Sequence, residues 1–340
     1  MQILVLGGTG FIGPHTIREL VAQGHNVTVF NRGRGLDKLP DGVRSIVGDR
    51  AEIAAFRDQF AALQPDVVLD MRTMLAAEAQ AVLDAVTGIA PRLVTISSMD
   101  VYKAFGLLIG TETGDPIAGP ADENGPLREN RYPYRTEPRP SADDPAAWRY
   151  DYDKILVEEL VLGSDAIDGT TLRLPMVYGD GDYQHRLLPY VQRIADARPA
   201  IILGEADAQW RTTRGYVGNV AAAITTVVTD DRARKRIFNV ADDNVFTEQE
   251  WVTHIAEAAG WDGRIAIVPQ DELPAELAGL GAVGQDLWLD ASAIQRDLDF
   301  ANPVDLPTAL ERTIAWEREH LATEPIDYAL EDAVLARLAE

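Results

Sequence analysis

Cysteine is absent from the 340 residues, which excludes disulfides, thiolate nucleophiles and cysteine metal sites together. Histidine occurs at 15, 25, 185, 254 and 320 with no paired-ligand spacing, so no metal site is expected. Lysine is confined to positions 38, 103, 154 and 235, and arginine carries nearly all the positive charge, so a lysine inside a motif stands out. No apolar run reaches the roughly 18 residues of a membrane span. The amino terminus enters a strand with no basic region or cleavage site, and a cytoplasmic location is expected. The formal net charge of −23 repels phosphate backbones and anionic lipid surfaces, so neither a nucleic-acid nor a membrane partner is expected.

What is present is a rhythm. Short apolar runs, "QILVL" 2–6, "NVTVF" 26–30, "VRSIV" 43–47, "DVVLD" 66–70 and "RLVTI" 92–96, alternate with helical patterns near 12–23, 51–62 and 74–87. Strand and helix alternating at this spacing predict an α/β, doubly wound parallel (Rossmann) sheet, with ligands at the carboxyl ends of its strands. Residues 103–147 break the rhythm with seven prolines among glycines and charges. An irregular stretch that long is either a lid or substrate loop, or an inert excursion. Regular structure resumes with a helix near 149–163, "TTLRL" 170–174, helices near 185–196 and 218–229, "RIFNV" 236–240 and a helix opened by the capping box "TEQE" 247–250. The expected division is a dinucleotide-binding unit over 1–174, including the insertion, and a smaller mixed α/β substrate lobe over 175–340 with segments returning to the first.

"ILVLGGTGFIGPHTIREL" runs from a strand through Gly7, Gly10 and Gly13 into an amphipathic helix. That order lets backbone amides meet a pyrophosphate at a helix amino terminus. Thr9, Phe11 and Ile12 lie within the same loop. After the second strand such folds offer an acid to the adenine ribose; here "FNRGRG" offers Asn31, Arg32 and Arg34. Guanidinium groups there suit a 2′-phosphate, so the cofactor is read as NADP or NAD, leaning to NADP; arginines facing solvent on a loop are the alternative. Asp49 follows the third strand, within reach of an adenine.

Together "GGTGFIG", "SSMDVY" 97–102, "YDYDK" 150–154, "LRLPMVYGDGD" 172–182 and "TRGYVGNVAAAI" 213–224 resemble the extended short-chain dehydrogenase/reductases, specifically the NAD-dependent epimerase/dehydratase family. The resemblance implies an enzyme working on a hydroxyl or keto group of a sugar nucleotide or related polar alcohol. It implies a catalytic set of Ser98, Tyr150 and Lys154, with Lys154 also on the nicotinamide ribose and Pro175 beside the cofactor. On a helix, residues four apart share a face while residues two apart diverge by about 200°. Tyr150 is therefore expected beside Lys154, with Tyr152 across the helix as a packing or interface residue and Ser97 structural. An ammonium near a phenol lowers its pKa and equips it as a base.

Two departures bear on substrate. The family's 4,6-dehydratases carry an acid and a base after the motif threonine, where this chain has Met99 and Asp100, so standard dehydration is doubtful. Asp100 reads either as a base or as a turn cap. Arg214 matches the arginine that grips a nucleotide-sugar diphosphate, whereas near Asp290 only Gln285 stands where a second clamp is expected. His185 and Arg186 face either the substrate or solvent at a helix start. Within the insertion Arg128, Tyr132, Tyr134 and Arg135 are candidate specificity residues. The alternatives are an NADP-dependent carbonyl reductase and, from another class, a non-catalytic dinucleotide-binding sensor or RNA-associated protein. The resemblance further implies a homodimer built on the helices near 74–87 and 149–163.

Overall fold

The computed structural model describes residues 1–135, 138–141, 143–144, 146–279 and 284–338. Strands β1 (Gln2–Leu6), β2 (Asn26–Asn31), β3 (Arg44–Val47), β4 (Val67–Asp70), β5 (Arg92–Ser98) and β6 (Asp168–Leu174) join the strand Ile237–Asn239 in one sheet. Its order is Ile237–Asn239, β6, β5, β4, β1, β2, β3, and every pairing is parallel. Ile3, Leu4, Val5 and Leu6 are all buried, as befits a central strand covered on both faces.

The reversal of strand order falls between β1 and β4, where Leu6 pairs with both Phe30 and Asp70. This opens a crevice at the carboxyl ends of the strands. Helix α1 (Ile12–Ala22) packs on the helix Val217–Thr229 on one side of the sheet. On the other side α2 (Arg57–Leu63), α3 (Ala76–Val86) and α5 (Lys154–Leu162) enclose Phe60, Val82, Val86, Val157 and Val161 with the sheet residues Leu4 and Val68.

The described residues of the insertion hold more regular structure than its prolines suggest. It opens with helix α4 (Lys103–Leu108), bridges Tyr102 to Leu127 and Ala121 to Leu289, and is held by the buried Arg128, whose Nε donates to the Asp100 carbonyl at 2.5 Å. A further pair of parallel strands, Ala200–Gly204 and Arg264–Val268, lies in segments that the apolar pattern left unassigned. The capping box forms as expected: Thr247 and Glu250 cap the helix Glu248–Ala259 reciprocally.

One expectation fails. The helix expected near 149–163 begins only at Lys154, and residues Ala147–Asp151 form a separate 3-10 turn. Asp153 is the reason, since its carboxylate accepts the Ile155 amide at 2.7 Å and caps the helix, a role aspartate fills better than lysine or tyrosine. Tyr150 and Lys154 therefore do not share a helix face, and Tyr152 does not lie across a helix from them.

Candidate active site

The first part of the site is the loop between β1 and α1. Gly7 and Gly8 adopt φ of +88° and +84°, which side chains rarely tolerate. A Cβ on Gly13 would stand 2.3 Å from the Gly8 carbonyl oxygen, while one on Gly10 would meet nothing within 4 Å among the described residues. The loop is closed tightly at one glycine and open at another. Phe11, at the start of α1, provides no side-chain cap, so the first-turn amides carry the partial positive charge that anions seek. These features fit a dinucleotide pyrophosphate.

Asn31, at the end of β2, is engaged by its own loop. Its Oδ1 takes the Gly33 amide at 2.8 Å, and its Nδ2 donates to Thr9 Oγ1 and the Arg34 carbonyl at 3.3 Å each. Asn31 thus ties the glycine loop to the following turn, while Arg32 and Arg34 are exposed. Asp49 is exposed and its Oδ1 caps the next turn at Ala51 N, 2.9 Å away. Pro175 is buried between β6 and the strand Arg214–Tyr216, where a Cβ on Gly215 would meet its ring at 2.8 Å. Ile12 is partly buried against the main core, and Phe11 flanks the Gly181 turn.

The second part gathers at the ends of β4 and β5. Lys154 Nζ is buried and donates to the carbonyls of Thr73, at 2.5 Å, and Ile96, at 2.8 Å. Burial brings its pKa down to about 8, against the opposing pull of Asp100 and Asp70. Asp70 meets Arg50 in a two-pronged ion pair, with one bond of 2.8 Å, and accepts from the Thr73 hydroxyl. Burial works to raise this carboxyl, but Arg50 and Thr73 more than offset it and hold it below its ordinary value. The loop that carries the Thr73 carbonyl is thereby fixed under the lysine.

Asp100 is the hub of the cluster. Ser98 Oγ accepts the Asp100 amide at 3.3 Å and caps the 3-10 turn Met99–Val101. Serine, not Asp100, is therefore the turn cap. The Asp100 carboxylate instead receives the buried Tyr152 phenol through Oδ2, and its Oδ1 has no hydrogen-bond partner among the described residues. Burial raises the Asp100 carboxyl, with Tyr152, Arg128 and Lys154 opposing it. Burial, then the Asp100 charge, pushes Tyr152 well above the ordinary phenol value. Tyr152 is 5% exposed and packs against the rings of Tyr134, at 5.4 Å, and Trp148, at 5.7 Å.

Tyr150 is partly exposed, with the guanidiniums of Arg139 and Arg135 over its ring at 4.5 and 5.1 Å. Arg135 also covers Tyr132 at 3.4 Å. Ser97 is structural: its hydroxyl donates to Glu158, which pairs with Arg173 beneath the sheet. The Asp100–Tyr152 contact escaped the sequence reading because 52 residues separate the partners. The tyrosine at position −2 from the motif lysine was its only trace.

The third part is a cavity of about 370 Å³ walled by Met176 and Tyr178 beyond β6, with Tyr190, Trp210, Arg214 and Trp251. Met176 also packs on the apolar cluster of Met99, Ile155 and Trp210, so the cavity adjoins the Asp100 and Lys154 segments. Arg214 is present as expected but ion-paired to Glu248 and placed over the Trp251 ring at 4.6 Å. Arg186 lines the cavity; His185 does not, and instead meets Glu317 at 2.8 Å and stacks on Trp316 at 5.1 Å. Gln285 pins the insertion, accepting from Ile117 N at 2.8 Å and donating to its carbonyl at 3.1 Å. Among the described residues no helix is long and apolar enough to cross a membrane, and no cluster of three or more potential metal ligands occurs.

The family model for the NAD dependent epimerase/dehydratase family matches residues 3–241. The chain belongs to that family. It is 30% identical to 2′-dehydrokanamycin reductase of Streptomyces kanamyceticus, over 76% of this chain and 67% of the relative. It is 27% identical to dTDP-glucose 4,6-dehydratase of Streptomyces griseus, over 94% of each. The chloroplast stem-loop binding protein of 41 kDa b of Arabidopsis thaliana is 25% identical over 76% of this chain, which spans 64% of that relative. In fold the chain is similar to UDP-glucose 4-epimerase of Thermotoga maritima, solved with UDP-glucose, with TM-score 0.67, 17% identity and coverage of 95% and 100%. The protein is an NAD(P)-dependent enzyme of the extended short-chain dehydrogenase/reductase type.

Proposed function

We propose that the protein oxidises or reduces a carbon bearing a hydroxyl or keto group in a polar, polyhydroxylated substrate. The observation that carries the reading is one parallel sheet with the glycine loop at the carboxyl end of β1 and the Ser98, Asp100 and Lys154 cluster at the carboxyl end of β5, separated by β4 alone. A bound nicotinamide accepts or supplies the hydride. The chain's own residues handle the proton and the geometry. Tyr150 exchanges the hydroxyl proton, because a proton-transfer group must be within reach of the substrate. Tyr150 is partly exposed, whereas Tyr152 is buried with its hydroxyl committed to Asp100. Ser98 orients the reacting oxygen, and Lys154, seated on two carbonyls, supplies positive charge below its pKa of about 8.

NADP is the preferred cofactor in this reading, supported by the exposed Arg32 and Arg34 and by Asn31 standing where an acid is expected to meet the ribose. Reduction of a ketone is the favoured direction, supported by the 30% identity to a 2′-dehydrokanamycin reductase. Dehydration is disfavoured because Met99 stands in the acid position. An RNA-associated role, suggested by the stem-loop binding relative, is opposed by the net charge of −23. The homodimer through α3 and α5 is part of the proposal and is tested by light scattering, where a monomeric mass overturns it.

The deciding experiment compares Tyr150→Phe with Tyr152→Phe in single-turnover reduction with saturating cofactor. Tyr150→Phe is expected to lose at least ~100-fold in rate, in line with general acid–base contributions, with cofactor affinity unchanged. Wild-type turnover by Tyr150→Phe would falsify the assignment. If Tyr152→Phe alone lost the chemistry, the Asp100–Tyr152 pair would take its place.

A further inference from the structure

The cavity beside the site is furnished against the charge that a nucleotide sugar brings. Its wall carries the carboxylates of Asp207, Glu248, Glu276 and Glu331 against three guanidiniums, those of Arg186, Arg193 and Arg214. Each guanidinium already has a carboxylate partner: Arg214 has Glu248, Arg193 has Glu331, and Arg186 has Asp182 at 2.8 Å. Tyr190 adds a hydroxyl to Glu248 at 2.5 Å, fixing that carboxylate beside Arg214. Gln285, at the position of a second phosphate clamp, is spent on the insertion backbone. An entering diphosphate would have to displace Glu248 or sit against it, and separating a largely desolvated ion pair is costly.

Among the described residues, two side chains of the same wall each carry a buried atom without a hydrogen-bond partner. Glu331 Oε2 is an unsatisfied acceptor on a side chain that is 4% exposed, and Arg214 Nη1 is an unsatisfied donor. A carboxylate oxygen accepts from an ammonium or a hydroxyl and a guanidinium N–H donates to any oxygen; the balance of four carboxylates against three guanidiniums, each of the three already ion-paired, tips the wall toward a cation. Tyr178, Trp210 and Trp251 supply aromatic walls for the apolar faces of rings.

We infer that this cavity takes a polyhydroxylated compound bearing a protonated amine, an amino sugar or aminocyclitol, and not a nucleoside diphosphate sugar. The inference rests on the oxidoreductase reading above and names its substrate class. Glu331 accepts the ammonium, Arg214 donates to a hydroxyl or carbonyl oxygen, and Glu248 keeps Arg214 from acting as an anion receptor.

Trp210 and Trp251 provide the signal. Fluorescence titrations at saturating NADP are run with neamine, with fully N-acetylated neamine and with UDP-glucose. Neamine is expected to bind at least 10-fold tighter than either of the other two, and to weaken several-fold as salt rises from low to high ionic strength. Glu331→Gln is expected to weaken neamine at least 10-fold and leave UDP-glucose unchanged. Glu248→Gln, which releases Arg214, is expected to strengthen UDP-glucose, so the proposal does not depend on one variant folding. Tighter binding of UDP-glucose than neamine by the wild type, indifference to N-acetylation, or no saturable neamine signal each overturns it. NADPH binding, read separately by nicotinamide fluorescence, distinguishes the two failures: cofactor bound with UDP-glucose preferred sinks the amine substrate alone, and no cofactor binding sinks the oxidoreductase reading.

Discussion

Tyr152→Phe isolates the contact on which the cluster around Asp100 depends. The substitution keeps the ring, and with it the packing against Tyr134 and Trp148, so no cavity forms. It removes the phenol that donates to Asp100 Oδ2, and because Oδ1 already lacks a partner, the carboxylate loses its side-chain donor from that loop. Leaving a buried, charged acceptor short of a hydrogen bond costs about 2–3 kcal/mol.

The cost has a sign in pH. Burial already raises the Asp100 carboxyl above its unfolded value, with the Tyr152 bond pulling it down. A carboxyl whose folded pKa is raised binds more protons folded than unfolded, so its stability contribution is lost as pH rises from the unfolded to the folded pKa. Without Tyr152 the folded pKa rises further, by roughly one unit per 1.4 kcal/mol of lost bond, and the window of loss extends upward. Urea unfolding followed by tryptophan fluorescence at a series of pH values is the assay. The variant's deficit is expected to be small in acid, where Asp100 is protonated in both proteins, and to grow toward about 2–3 kcal/mol as pH rises through the folded pKa of Asp100. A deficit independent of pH, or one below about 0.5 kcal/mol throughout, would refute the view of Asp100 as a buried carboxylate held by Tyr152.

Three further outcomes follow from the same geometry. Arg32→Ala combined with Arg34→Ala should weaken NADP at least ~10-fold while changing NAD less than about twofold, a bidentate phosphate contact being worth well over 1 kcal/mol; equal losses for both cofactors in parallel titrations would remove the phosphate assignment. The pH profile of kcat/KM should decline on its alkaline side near the Lys154 pKa of about 8, because the buried ammonium loses its charge there, and Lys154→Arg should shift that limb upward; an unchanged limb would place the titrating group elsewhere. Gly13→Ala, which sets a Cβ 2.3 Å from the Gly8 carbonyl oxygen, should abolish cofactor binding measured by NADPH fluorescence, whereas Gly10→Ala, with open space around it, should leave the fold intact and weaken the cofactor only.

What the sequence determined by itself is everything written in contiguous residues. The glycine loop needs only a strand, a turn and a helix start within Gln2–Ala22. The parallel sheet needs only apolar runs spaced by helices, and the capping box needs four adjacent positions. The family followed from five such segments in order. Tertiary structure decided what joins residues far apart along the chain. Arg214 is neutralised by a glutamate 34 residues on, Gln285 is consumed by a backbone 168 residues away, and Asp100 meets a tyrosine 52 residues on. No local period encodes such partners, because burial selects them only after the loops have closed. The same holds for the pair in "YDYDK". Helical spacing joined Tyr150 to Lys154 on paper, but Asp153 caps the helix and Asp100 takes Tyr152. The helix therefore begins only at the lysine, and the two tyrosines are sorted by which of them the closed fold buries.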